Sequence, residues 1–247
     1  MPETDTVTPE QLADLPTRNG FRQRGMEMTR LETFTDAAFA FVVTLLVVGG
    51  GDSVPMNFDE MINALKQVPA FIASFANIMW FWYAHHVWSR RFGLEDVTSV
   101  LLSLALVLIV LIYVYPLKAI YSGAMQFFSG GFLTSYFGIS SIDDLRSMFV
   151  IFGTAYAALS SMIALLYRHA LRLEKNLLLD AVEKFDAHTE KGFWLTNAGI
   201  GAVSSLLALT LPDGLIVIAG MFYGFLGILM PWYHIRRRRA RKTLLEA

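Results

Sequence analysis

The residues of this chain that could do chemistry are a few ionisable side chains set inside long apolar runs. Asp36 lies six residues after Arg30, early in one such run, and His85 and His86 lie four to six residues before Arg90 and Arg91, at the end of another. Trp82, Trp88 and Asn77 flank the histidines. Groups of this kind are expensive in a bilayer and stand there by default as functional or structural partners. Six helical residues advance about 9 Å. If the two runs are antiparallel spans, the acid, the arginine and both histidines therefore meet at one level near one face. Three chemistries are open to such a cluster. A buried hydrogen-bond network would pin the first span to the second, with Asp36 bonded chiefly to His85 or His86 and with Arg30, Thr35 and Trp82 completing the set. A proton sensor would use the near-neutral titration of histidine. A metal site would use both imidazoles, although neighbouring positions on a helix point about 100° apart and do not form a natural bidentate pair.

Catalysis has no comparable cluster. There is no Ser/His/Asp set, no HExxH and no phosphate loop. His169 and His188 sit on a polar segment without companion motifs and read as solvated. With no cysteine in the chain, thiol chemistry and cysteine metal sites are excluded. The formal net charge of −1 excludes a generally basic nucleic-acid binder. Ion-coupled carriers usually carry acids at mid-membrane beside interrupted helices. Here Asp36 stands almost alone and Pro116 falls near the outer end of its span. The expectation is a protein that is not an enzyme, with no cofactor, no resident metal and no small-molecule substrate.

The elements that must position these residues are membrane helices. Hydrophobic residues make up 55% of the 247 and charged residues only 17%. A mean hydropathy of +0.48 places the chain among integral, multi-pass membrane proteins. A span needs about 20 mostly apolar residues. Six runs qualify, at roughly 34–51, 68–88, 97–120, 145–167, 193–211 and 215–233. Residues 121–140 are apolar but broken by glycine and serine, and read as an outer loop with room for a short interfacial helix.

Arg18, Arg22, Arg24 and Arg30 precede the first span, Arg90 and Arg91 follow the second, five Lys and Arg lie between the fourth and fifth, and six follow the last. Seventeen of the 20 basic residues thus fall on one side, against Lys66, Lys118 and Arg146 on the other. Both termini are expected in the cytoplasm. Residues 1–28 form a basic N-terminal segment, with 1–20 read as a disordered tail. Residues 29–235 form the six-span unit, and 236–247 a basic tail. Within the unit, 167–191 reads as a cytoplasmic helical extension of the fourth span with a solvated face. The Arg236–Lys242 cluster serves as a topology anchor or attracts anionic lipid. Small residues at Ala157–Ser161 and at Gly220, Gly224 and Gly227 suit close helix packing.

At the first span the residues become specific. Arg30-Leu-Glu-Thr-Phe34-Thr35-Asp36, followed by an apolar helix containing Thr44, resembles the opening of the transmembrane protein 175 potassium-channel family: arginine, three residues, then Phe-Ser-Asp. Trp82-Tyr-Ala-His85-His86-Val-Trp88 resembles that family's tryptophan and paired histidines, and Tyr115-Pro116-Leu117 fits the end of its third helix. The resemblance covers roughly 29–235. Thr35 replaces the family serine and keeps the hydroxyl, Ala37 stands where bacterial relatives often have glycine, and Phe41 stands where leucine or isoleucine is usual.

The resemblance implies an all-α membrane protein with six transmembrane helices per subunit in a bacterial plasma membrane. One six-helix repeat implies a homotetramer with helix 1 of each subunit lining a central pore. It further implies a potassium-permeable cation channel without a Thr-Val-Gly-Tyr-Gly filter, passing K+ down its gradient and partnered only by itself and membrane lipids. The family's constriction, hydroxyl layer and second apolar ring fall on Phe41, Thr44 and Val48. The residues alone leave that stripe open. Phe34, Phe41 and Val48 recur every seven residues, which suits either a packed core face or a hydrophobic constriction that gates by dewetting. A proton-permeable leak channel with His85 or His86 near the route, and a non-conducting scaffold or sensor signalling through 167–191, are the alternatives.

Overall fold

The computed structural model describes residue 12 and residues 14–48 and 55–246. Gly49–Gly51, placed above at the end of the first span, and most of residues 1–13 lie outside the described residues. Six long helices carry the fold: α1 (Arg30–Val48), α3 (Val68–Phe92), α4 (Val97–Phe128), α5 (Ile142–Arg172), α6 (Ala181–Thr210) and α8 (Leu226–Glu246). A short α2 (Phe58–Lys66) precedes α3, and α7 (Val217–Met221) lies between two 3-10 turns ahead of α8. α1, α4, α5, α6 and the stretch Asp213–Arg238 are each long and apolar enough to cross a membrane. α3, the sixth run expected from the sequence, has 25 residues but does not reach that apolarity, because tryptophans, Asn77 and the histidine pair interrupt its apolar residues. The chain is thus an all-α, integral multi-pass membrane protein.

Local signals explain where the helices begin. Thr29 caps α1, its hydroxyl accepting from Glu32 N–H at 3.1 Å. Ser141 and Asp144 form a reciprocal capping box on α5, and Asp180 and Glu183 form another on α6. α5 and α6 touch backbone to backbone. A Cβ added to Gly153 would lie 2.7 Å from Gly201 O, and one added to Gly201 would lie 2.7 Å from Gly153 O. Ala157 joins this seam, and Gly220 sits against the Phe149 ring, whereas Gly224 and Gly227 meet nothing. The close-packing role expected of the last two is therefore not realised within the chain.

Several expectations are corrected. α4 does not stop near residue 120. It runs through Pro116 to Phe128, so the outer loop begins only at Ser129. Residues 167–191 are not one extension of the fourth span. α5 ends at Arg172, Leu178 adopts φ +48°, and Asp180 starts a new helix. Nor is that new face solvated: Glu183, Asp186 and Ala187 are buried.

Part of the expected disordered tail is ordered as well. Thr17–Arg18 and Phe21–Arg22 pair as an antiparallel hairpin, β1 and β2. Asn19 and Gly20 form its turn at φ +52° and +71°, the geometry of a type I′ connection. Phe21 is 1% exposed, edge-on to Phe92 at 5.5 Å and beneath the Arg91 guanidinium at 5.0 Å.

This hairpin docks on a cluster of ion pairs at the end of the bundle that carries both termini. Glu183 is fully buried and receives Arg24 through both oxygens, at 2.8 and 3.1 Å, and the backbone N–H of Arg22 at 2.9 Å. Arg237 reaches Asp186 at 3.0 Å and Glu190 at 2.6 Å, and Arg241 reaches Asp186 at 3.6 Å and the carbonyl of Asn19. The C-terminal basic cluster is thus in part a set of internal ion-pair partners. His169 is likewise not solvated: its Nε2 lies 2.9 Å from the carboxylate of Asp96, the residue that caps α4.

Candidate pore helix and its anchoring network

α1 has two unlike faces. Glu32, Thr35, Phe39, Val42 and Leu46 recur at helical spacing and are buried against α3 and α4. The opposite face carries Phe34, Phe41, Thr44 and Val48, all exposed, with Phe41 at 56% and Val48 at 70%. The stripe singled out in the sequence is therefore not part of this chain's core. That role belongs to Phe39, Val42 and Leu46. Phe41, Thr44 and Val48 stand three and four residues apart and share one side of the helix. Thr44 donates its hydroxyl proton to the carbonyl of Ala40 at 3.1 Å. That direction leaves the Oγ1 lone pairs, rather than a proton, for whatever faces the stripe.

The buried face is held by a ladder to α3. Trp82 Nε1 donates to Asp36 Oδ1 at 2.8 Å. One turn towards the termini, Glu32 Oε1 meets Arg90 Nε at 3.2 Å and His86 Nδ1 at 3.4 Å. The Trp82 and His86 rings stack at 5.5 Å and join the two rungs. Asp36 and Glu32 are four apart on α1, and Trp82 and His86 four apart on α3. Antiparallel helices in this register face one rung after the other.

Arg90 also donates to the carbonyls of Gly25 and Met26 at 3.0 Å, tying the strand before α1 to the end of α3. There the chain passes against Gly93, at φ +58°, where an added Cβ would stand 3.0 Å from the Arg24 carbonyl. A side chain at Gly93 would strain the backbone and push this strand away.

This network differs from the expected one. Neither histidine bonds to Asp36. His85 turns to α4 and meets Ser103 Oγ at 2.9 Å, while His86 meets Glu32. Thr35 is buried but donates within its own helix, to Leu31 O at 2.8 Å. Arg30 is exposed and forms no ion pair among the described residues. Glu32, 3% exposed, is the member that sequence reasoning missed. It lies before the apolar run and passes for an ordinary helix-start acid. Its visible signal is the four-residue spacing to Asp36 that matches Trp82 and His86. Because the two histidines diverge, they do not converge on an ion. Among the described residues no group of three or more His, Asp or Glu side chains could hold a metal.

Known proteins resemble this chain over the helices that carry the network. Residues 30–116, which hold α1, α3 and most of α4, match the family described as the endosomal/lysosomal potassium channel TMEM175. A potassium channel of Marivirga tractuosa is 29% identical over 235 residues, covering 92% of this chain and 94% of that protein. The crystal structure of the T38A variant of the potassium channel MtTMEM175, bound to a nanobody–MBP fusion, superposes with a TM-score of 0.76. That match has 28% identity and covers 92% of this chain and all of that one. Over residues 30–116 the chain thus matches the TMEM175 potassium-channel family, and over 92% of its length it is similar to two potassium channels.

Proposed function

We propose that four copies of this chain assemble with α1 at the centre, and that the exposed stripe of α1 lines a pore permeable to K+. The observation that carries this reading is the asymmetry of α1. One face is fixed to the bundle by the Asp36 and Glu32 rungs, and the other leaves Phe41, Thr44 and Val48 exposed among the described residues. Four Phe41 rings form a narrow apolar constriction that resists hydration when closed. Four Thr44 hydroxyl oxygens beyond it coordinate a partly dehydrated cation, and Val48 forms a second apolar ring. Selection thus takes place without a filter of backbone carbonyls.

The chain is neither catalyst nor cofactor carrier in this reading. Residues 29–235 form the channel unit in a bacterial plasma membrane, closed on the cytoplasmic side by the hairpin and the basic end of α8. The 17 basic residues on one side support cytoplasmic termini. From Ala37 to Val48 the helix has no ionisable side chain, so a proton relay through side chains has no carrier along the stripe.

Flux into liposomes tests the reading. Purified protein should collapse a K+ gradient, with a smaller response to Na+. Proton flux alone would favour a leak channel, and silence under every gradient would leave a scaffold.

A further inference from the structure

Arg236, Arg237 and Arg241 do not share one role. Arg237 and Arg241 turn inward to Asp186 and Glu190. Arg236 is exposed, pairs with no carboxylate among the described residues, and lies over the Trp232 ring with its guanidinium carbon 5.3 Å from the centroid. Trp232 is itself 53% exposed and lines a cleft of about 90 Å³ between α6 and α8. The rest of the lining is mainly apolar and includes Phe193, Leu226, Leu229 and Met230. A groove walled by apolar side chains therefore ends at a tryptophan carrying a positive charge. Tryptophan favours the membrane–water interface. A guanidinium placed over a ring still has N–H donors to offer a phosphate. The occupant that suits this sequence of groups is amphipathic, with a hydrocarbon chain and an anionic head.

We propose that the cleft between α6 and α8 seats an anionic phospholipid of the cytoplasmic leaflet, with an acyl chain along Leu226, Leu229 and Met230 and the phosphate on Arg236. The leaflet assignment rests on the cytoplasmic termini proposed above. The site also explains why the basic cluster is split. Its inward members build the protein, and Arg236 faces the membrane beside an apolar slot.

The test uses the full chain in detergent, titrated with phosphatidylglycerol or with phosphatidylcholine of the same acyl chains. Bound lipid is counted by native mass spectrometry of the intact assembly. The wild type should prefer phosphatidylglycerol. Arg236→Gln should weaken its binding about fivefold or more, the loss expected for one cation at a headgroup. Trp232→Ala should weaken both lipids. Arg238→Gln, which removes the same charge from another exposed side of α8, should leave the preference unchanged. Arg236→Lys keeps the charge and loses the planar fork, so it should fall between wild type and Arg236→Gln and serves if the glutamine variant does not assemble. The proposal is overturned if Arg238→Gln costs as much as Arg236→Gln, or if wild type binds the two lipids alike. Loss of the assembly in both Arg236 variants, with the dissociated subunits still preferring phosphatidylglycerol, would also overturn it and assign the cleft to a second subunit. No current is measured, so these outcomes leave the channel reading standing or falling on its own.

Discussion

The two ends of the bundle treat acidic side chains in opposite ways. At the end that carries the termini, Glu32, Glu183 and Asp186 are buried at 3%, 0% and 1%, each facing one or more arginines. At the far end Asp59, Glu60, Asp143, Asp144 and Asp213 are all exposed. There they stand in the first turns of helices or, as with Asp213, meet Arg146 at 2.8 Å at the end of α6. The first end is therefore specified by groups that must find particular partners, because a buried charge without one is costly. The second tolerates change. α1 enters the bundle through the specified end and emerges at the tolerant one. The network fixes where the helix starts, and its outer half presents the stripe.

Breaking the specified end should have the largest effect. Glu183→Ala strands the guanidinium of Arg24, whose side chain is only 2% exposed. Loss of one partner of a buried pair costs about 3–5 kcal/mol, read as a lower unfolding midpoint in detergent. Trp82→Phe keeps the ring and removes the donor to Asp36. A hydrogen bond to a charged group is worth about 1.5–3 kcal/mol, so this variant should be less damaged than Glu183→Ala.

A smaller effect is expected from pH at Asp96. Burial pushes its carboxyl up, but the Ser99 hydroxyl, His169 and the Thr98 N–H together hold it below its ordinary value. A depressed carboxyl contributes stability that is complete above the ordinary value and is lost as pH falls through the lowered one. The unfolding midpoint should therefore drop between about pH 5 and 3, and Asp96→Asn should flatten that part of the curve. The smallest effect belongs to the far end. Asp59→Ala, exposed on α2, should shift stability by no more than about 0.5 kcal/mol. A larger loss there would mean that the two ends do not differ as described.

The spans were legible because continuous apolar runs leave few alternatives in a bilayer. Their ends were less so. Asp180 and Glu183 spell a capping box, but the charged and apolar alternation around them suits the end of one helix as well as the start of the next. Only the positive φ of Leu178 separates the two, and no leucine announces that. Asn19-Gly20 is a strong hairpin signal, here obscured by strands of two residues each and by nearby prolines. In the site, Asp36 and Trp82 were visible as a pair of regions rather than as a bond. The exact partners depend on helix rotation, which composition does not encode. Glu32 shows this best, since an acid outside the apolar run becomes buried only through the antiparallel register of α1 and α3.

The exposed face of α1 can be probed directly because the chain has no cysteine of its own. Single cysteines at Phe41, Thr44 and Val48, and at the buried Val42 and Leu46, give five variants differing only in which side of one helix they mark. K+ current is recorded before and after a small, charged, water-soluble thiol reagent. If α1 lines the pore, modification should block current at 41, 44 and 48 and leave 42 and 46 unaffected. Block at 42 and 46, or unaltered current at all three stripe positions, would contradict a pore lined by this face.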